Sequence, residues 1–325
     1  MIRYLLNRLV QTVLTLFAMS VLVFVGLNFV GNPVDVLLSA TATPAERLQV
    51  IKSFGLDKPI IEQYGIFLRH ALEGDLGNSF VYNQPAIRLI LERMPATLEL
   101  AFAALVMALT IGLPLGIYAG LRPNGVAAKS IMTFSILGFS LPTFWIGLVM
   151  IMTFSVFLGW LPASGRGATI SIFGVQVSFL TWDGIRHLLL PALNLALFKI
   201  SLVIRITRAG VIETVQLDYV RFARAKGLSE SRVVLVHVLR NTLIPLITVI
   251  GLELGSLIAF AVVTETIFAW PGMGKLIIDS IAVLDRPVIL AYLMMTVVMV
   301  SVINLIVDLL YMAADPRVRI EETAE

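Results

Sequence analysis

Residues able to do covalent or redox chemistry are scarce in this chain. It has no cysteine, which removes disulfides, thiolate metal sites and a cysteine nucleophile. Its three histidines, His70, His187 and His237, are widely separated. No His-Glu-x-x-His, no Gly-x-Ser-x-Gly elbow and no pair of aspartates within an apolar run occurs. Zinc hydrolysis, serine acyl transfer and intramembrane aspartyl chemistry therefore have no residues to carry them. Gly272-Met273-Gly274-Lys275 is a fragment of a phosphate loop without its full Gly-x4-Gly-Lys-Ser/Thr frame. The expectation is a chain with no catalytic residue, no metal site, no bound cofactor and no ATP of its own.

Two charges are notable for where they fall. Lys199 and Glu253 each interrupt an otherwise apolar run, and an ionisable residue inside such a run is by default a functional candidate. Lys199 precedes Arg205 by six residues, which is about 9 Å along a helix. Glu253 follows Pro245 by eight, which is about 12 Å. Similar depths on consecutive spans predict a contact, or a shared water-filled cavity, that biases a pathway between states. The plainer alternatives are a Lys199 that snorkels to the inner head groups and a Glu253 that serves packing through hydrogen bonds.

The elements that must position these residues follow from composition. Of 325 residues 58% are hydrophobic and only 14% charged, where soluble domains carry about 25% charged. The apolar residues come in blocks, and about 20 of them cross a bilayer core as a helix. Six membrane helices are predicted over 9–30, 98–120, 131–158, 188–206, 243–264 and 288–312, which makes the fold all-α and polytopic. With the N-terminus inside, the inner segments hold thirteen Lys and Arg against four in the short outer loops. That bias places both termini in the cytoplasm.

The first 30 residues read as an interfacial start followed by a retained anchor, the apolar stretch being longer than a usual signal-peptide core. Residues 31–97 read as a small helical cap outside the membrane. Thr43-Pro44-Ala45-Glu46 is a capping box with proline at the first helical position; that helix is predicted to stop at Gly55, and a second to run over 59–73 before Gly74. Residues 98–325 form the core. Gly112, Gly116 and Gly120, and Gly251 with Gly255, repeat every four residues, a spacing that permits close helix approach. Pro114, Pro142 and Pro191 lie inside predicted spans as possible kinks.

The inner loop over 207–242 is far longer than two adjacent helices require. It carries Arg221, Arg224 and Lys226 on a short helix, Arg221-Phe222-Ala223-Arg224-Ala225-Lys226, stopped by Gly227. Ser229 is placed to cap a second helix from Glu230. Helix, glycine break and helix make a stiff elbow that a partner could push. The alternative is a solvated basic loop.

This elbow resembles the signature cytoplasmic loop of ABC-importer permeases, in the variant of the dipeptide/oligopeptide/nickel permease family. Ala223-Arg224-Ala225-Lys226-Gly227-Leu228, followed by Arg240-Asn241-Thr242-Leu243-Ile244-Pro245, is similar to that variant. The general form has Glu-Ala-Ala where this chain has Arg221-Phe222-Ala223, and a nearer proline. The resemblance covers nearly the whole chain. Gly55-Leu56-Asp57-Lys58-Pro59, Gly74-Asp75-Leu76-Gly77, Arg93-Met94-Pro95-Ala96-Thr97-Leu98-Glu99, Phe139-Ser140-Leu141-Pro142, Leu190-Pro191-Ala192 and Phe268-Ala269-Trp270-Pro271-Gly272-Met273-Gly274 are similar in order and spacing. Gly31-Asn32-Pro33 stands where the family more often has Gly-Asp-Pro.

The resemblance implies a type I-like importer permease in the bacterial inner membrane, paired with a second homologous permease subunit. It implies two cytoplasmic ABC ATPase subunits, one of which holds Arg221, Phe222, Ala223, Arg224, Ala225, Lys226 and Gly227 in a groove, and a periplasmic binding protein that docks on the cap. Glu265, Trp270, Pro271, Gly272 and Gly274 would help close the outer mouth. Peptides, nickel complexes and glutathione are the substrates carried within the family. Basic residues here face lipid and protein, with no nucleic-acid partner expected. An ion or solute channel is the reading of a different class, though no span carries a filter-like sequence.

Overall fold

The computed structural model describes residues 2–30, 43–53 and 57–314. They are mainly helical, because in lipid every backbone group must be satisfied within its own segment. Two compact units emerge: Met1–Ala96 with Pro271–Val302, and Thr97–Trp270 with Ile303–Glu325.

In the first unit, α1 runs over Ile2–Val30, α2 over Pro44–Ser53 and α3 over Ile60–Leu72. Pro44 opens α2 as the capping pattern predicts; the predicted stop at Gly55 lies outside the described residues. Helix α3 ends one residue before the Glu73 cap, and Gly74 turns the chain at φ +82°. α3 packs on α1 through Tyr64, whose hydroxyl is 2.8 Å from Ser20 Oγ, and through an aromatic trio of Phe24, Tyr64 and Phe67. A buried Asp285, between α11 (Met273–Ala282) and α12 (Arg286–Ala314), accepts hydrogen bonds from Ser79 Oγ and from Phe80 N at 3.1 Å. That carboxylate fixes the turn that leads into α4 (Ala86–Leu121).

Helix α4 starts twelve residues before the predicted span, at Ala86 instead of residue 98. The added turns are rich in straight-chain helix formers and carry an Arg88–Glu92 pair at 2.9 Å. Polarity made this stretch look like part of the cap, but polarity does not end a helix.

The second unit holds α5 (Val126–Ser140), α6 (Thr143–Met150) continuing as a π-helical segment over Ile151–Phe157, a β1–β2 hairpin (Ile170–Ile172, Val175–Val177), α7 (Trp182–Val215), α8 (Asp218–Ala225), α9 (Glu230–Arg232) with a π-helical run over Val233–Val238, and α10 (Leu239–Ile267). The single predicted span over 131–158 is corrected. α5 and the α6 segment meet at a 107° bend. The cause is local: Pro142 disfavours helical backbone at the residue before it, and Leu141 is extended at ψ 140°. Pro191, by contrast, sits inside α7 without ending it.

Helix α7 is the centre of this unit. Gly112, Gly116 and Gly120 of α4 lie against Val203, Thr207 and Val211 of α7, so close that an added Cβ at each glycine would fall 2.6–2.7 Å from a side-chain carbon. Gly251 of α10 approaches Val307 in the same manner. These glycines are packing seams. Among the described residues, four helices are long and apolar enough to cross a membrane, or five if the bent pair counts as one span. The fifth predicted crossing lies within α10, whose mid-helix side chains are only partly described.

Candidate coupling elbow and intramembrane ion pair

The inner segment is more helical than a loop. α7 continues through the predicted boundary at residue 207 to Val215, and Gln216 and Leu217 then turn the chain into α8. Apolar residues of α8 recur so that Val220 and Ala223 face inward. They join Val211, Val233 and Val238 in a buried cluster, with Ile117, Val215 and Leu228 packed around it. Burying these side chains fastens α8 to the helix that enters the elbow and to the turn that leaves it.

Gly227 ends α8 for a backbone reason. Its φ is +78°; Leu228 N donates to Ala223 O and Gly227 N to Arg224 O. This is the Schellman arrangement, which favours glycine because a left-handed residue carries no Cβ penalty there. Ser229 occupies the position before α9, but its side chain makes no capping bond, a departure from the predicted cap. What ties the two arms instead is an ion pair between Arg224 Nε and Glu230 Oε1 at 2.8 Å.

The opposite face of α8 is open. Phe222 is 61% exposed, with the Lys226 ammonium 4.5 Å from its ring centroid. Arg221 is exposed beside Asp218 at 3.9 Å, and Ala225 and Lys226 are also exposed. An apolar root, a rigid glycine cap and an aromatic–cationic outer face equip this element to be held by a protein.

The structure brings Lys199 and Glu253 together. Lys199 Nζ forms an ion pair with Glu253 and a hydrogen bond of 2.6 Å with Ser256 Oγ. Ser256 Oγ in turn lies 2.6 Å from Glu253 Oε2. The lysine side chain is only 7% exposed and the glutamate 30%. Snorkelling therefore does not describe Lys199: its ammonium is turned into the helix bundle. A small cleft beside the pair is walled by Leu105 and Ala108 of α4, Val203 of α7, and Leu246 and Leu257 of α10.

The remaining candidates divide between the two units. Glu265 and Trp270, in the second, are fully buried. Glu265 accepts a hydrogen bond of 2.6 Å from Thr97 Oγ1, its carbonyl receives Trp270 N at 2.8 Å, and the Arg166 guanidinium lies 5.8 Å from the Trp270 ring centroid. In the first unit, Pro271 leads to Gly272, which occupies the N-terminal cap position of α11, and Gly274 is buried in that helix's first turn.

A site that sequence reasoning missed surrounds Glu99. Its Oε1 accepts from Ser178 N, Ser178 Oγ and Phe179 N at 2.7–2.8 Å, and its Oε2 from Arg166 Nη2 at 2.6 Å. One buried carboxylate thus anchors both ends of the hairpin-bearing segment. The only sequence signal was a charge at the mouth of an apolar run, with its partner 67 residues away.

Comparison with known proteins identifies the family. Residues 112–320 match the family described as the binding-protein-dependent transport system inner membrane component, and residues 1–101 match its N-terminal companion. A di/tripeptide transport system permease protein of Pseudomonas aeruginosa is 39% identical, covering 98% of this chain and 99% of that protein. An oligopeptide transport system permease of Bacillus subtilis is 38% identical and a glutathione transport system permease of Escherichia coli 36%, each over 98% of this chain and 99% of its own. Among solved structures, the MetNI methionine ABC transporter in an inward-facing conformation is similar at TM-score 0.53 and 17% identity, covering 70% of this chain and 96% of that one. At that identity the likeness concerns the fold.

Proposed function

The chain belongs to the family of binding-protein-dependent transport system inner membrane components and is a permease subunit of an ABC importer; on that premise we propose that it carries di- and oligopeptides. The observation that supports the substrate class is full-length likeness to permeases named for di/tripeptides and oligopeptides in two distant bacteria. The glutathione permease relative supports a second reading, import of glutathione, itself a tripeptide.

In this reading the chain crosses the bacterial inner membrane six times with both termini in the cytoplasm, and 31–97 contributes a periplasmic cap where a substrate-binding protein docks. A second homologous permease completes the pathway. Of two cytoplasmic ATPase subunits, one holds α8 by Arg221, Phe222, Arg224, Ala225 and Lys226, with Ala223 and Gly227 setting its seat and its end. ATP is bound and split on those partners and not on this chain. ATP-driven closure of the ATPase pair pushes the elbow, and α7 and α10 turn that push into alternating access. Glu265 and Trp270, and separately Pro271, Gly272 and Gly274, shape the outer mouth. A passive channel has no use for such an elbow.

The test is reconstitution of the whole complex in proteoliposomes with its binding protein, followed by ATP-dependent uptake of labelled dipeptide, longer peptide and glutathione. Peptide uptake that needs both ATP and binding protein is the expected result. Uptake of glutathione alone would replace the substrate class, and flux without ATP would overturn the importer reading.

A further inference from the structure

Helix α7 enters the elbow and α10 leaves it, and two of the places where the structure ties this segment together differ in kind. Near the inner end, α8 is held by the buried cluster of Val211, Val220, Ala223, Val233 and Val238. Apolar packing of this kind is non-directional and roughly proportional to area, so it resists separation of the helices more than sliding along them. The second place is the Lys199–Glu253–Ser256 cluster. Lys199 lies sixteen residues before Val215 and Glu253 fourteen after Leu239, about 24 Å and 21 Å along their helices. Here the contact is directional. The Ser256 hydroxyl accepts from the ammonium and donates to the carboxylate, so each of the three groups fixes the other two.

We propose that Lys199, Glu253 and Ser256 are positioning residues that lock the axial register of the two helices flanking the elbow, so that a push on α8 reaches the spans as one movement. This rests on the reading of α8 as the element held by the ATPases. A buried ion pair is weak as a source of stability, and apolar residues of similar volume often replace it at no loss; fixing register is its best-attested use. The cluster has the features that role requires: burial of the lysine, a third group that orients the carboxylate, and placement between the two helices whose relative shift would dissipate the push.

The experiment uses the reconstituted complex and reads peptide moved per ATP hydrolysed, together with the denaturation midpoint in detergent. Lys199→Met and Glu253→Gln are expected to lower the transport-to-hydrolysis ratio by about two- to thirtyfold, the range of coupling changes produced by residues that touch neither ligand. The charge exchange Lys199→Glu with Glu253→Lys is expected to recover most of that loss. The apolar double variant Lys199→Met with Glu253→Leu separates register from stability: its midpoint is expected to stay near wild type while the ratio stays low. A normal ratio in the apolar variant, or an exchange no better than the single changes, overturns the proposal.

Register can also be read without any substrate, because the chain has no cysteine of its own. Asn194 Nδ2 and Thr264 Oγ1 are 3.1 Å apart across the same helix pair. Mercury cross-linking of Asn194→Cys with Thr264→Cys should dominate over Asn194→Cys with Ala261→Cys, one turn out of register. Adding Lys199→Met should narrow that preference, and an unchanged preference overturns the lock. If the wild-type complex splits ATP but moves no peptide, the substrate reading fails while this cross-linking measurement still decides the register.

Discussion

Moving a small residue from one side of the α4–α7 seam to the other should first break and then restore the packing. At Gly116 an alanine Cβ would sit 2.6 Å from Thr207 Cβ and 3.0 Å from Ile204 O. Ordinary contact begins at 3.4 Å, so the helices must part by roughly the 0.8 Å difference, or the side chains must leave their rotamers. Overpacking of that kind costs about 1–3 kcal/mol, whereas glycine to alanine inside a helix gains about 1 kcal/mol in propensity. Gly116→Ala alone is therefore expected to lose stability by about 1 kcal/mol, the remainder of two opposing terms. The double-mutant cycle with Thr207→Gly removes the ambiguity, since propensity terms cancel and the steric term remains. Thr207 Oγ1 is buried and makes no hydrogen bond among the described residues, so its removal breaks none. The expected coupling energy is about 1–3 kcal/mol in favour of the double variant, read by reversible unfolding in mixed detergent micelles. A coupling near zero would refute the view that side-chain contact across this seam sets the helix separation.

Three further outcomes are expected. Gly227→Val should lower stability by about 1–2 kcal/mol, because valine must adopt a left-handed backbone, and Gly227→Asn should lose less; nothing lies within 4 Å of an added Cβ there, so a loss that follows side-chain volume instead of backbone preference would count against the Schellman account. Phe222→Ala should leave the unfolding midpoint unchanged while weakening ATPase binding in a pull-down of the complex, whereas Val220→Ala, in the buried cluster, should lower the midpoint; the reverse pattern would reassign the two faces of α8. Glu99→Gln should cost up to about 3 kcal/mol by removing the ionic partner of the largely covered Arg166, and should open the hairpin segment to limited proteolysis before the rest of the chain.

Much of the fold could be read from the sequence because a bilayer makes apolar runs and helices nearly the same thing. Helix ends were less legible. Residues 86–97 and 207–215 are polar enough to resemble loop, yet hydrogen bonding continues through them into α4 and α7. The break at Pro142 was visible as a proline but not as a corner, since Pro191 occurs in an unbroken helix and the residue type alone does not separate the two cases. Lys199 and Glu253 could be paired from their depths because each interrupts an apolar run on consecutive spans. Glu99 could not be paired with Arg166, since no local pattern links residues so far apart in the chain. The elbow was legible from Gly227, while the inward side of α8 required knowing that Val211 and Val238 meet beneath it.

The corner at Leu141–Pro142 has a consequence for what can surround it. A helix end leaves its last carbonyls and its first amides outside the helical ladder, and here one end follows the other within two residues of an uncharged stretch. Leu137 O recovers a partner through the capping amide of Leu141, and the amides of Trp145 and Ile146 reach Pro142 O. Hydrocarbon offers none to the rest, so a bare corner cannot rest against acyl chains. Wherever this bend sits in the assembled importer, it must be wet or covered by polar groups of protein, and lipid is excluded from it. A spin label or solvatochromic dye placed beside Ser140 would therefore report water or protein even though every neighbouring side chain in the sequence reads as membrane.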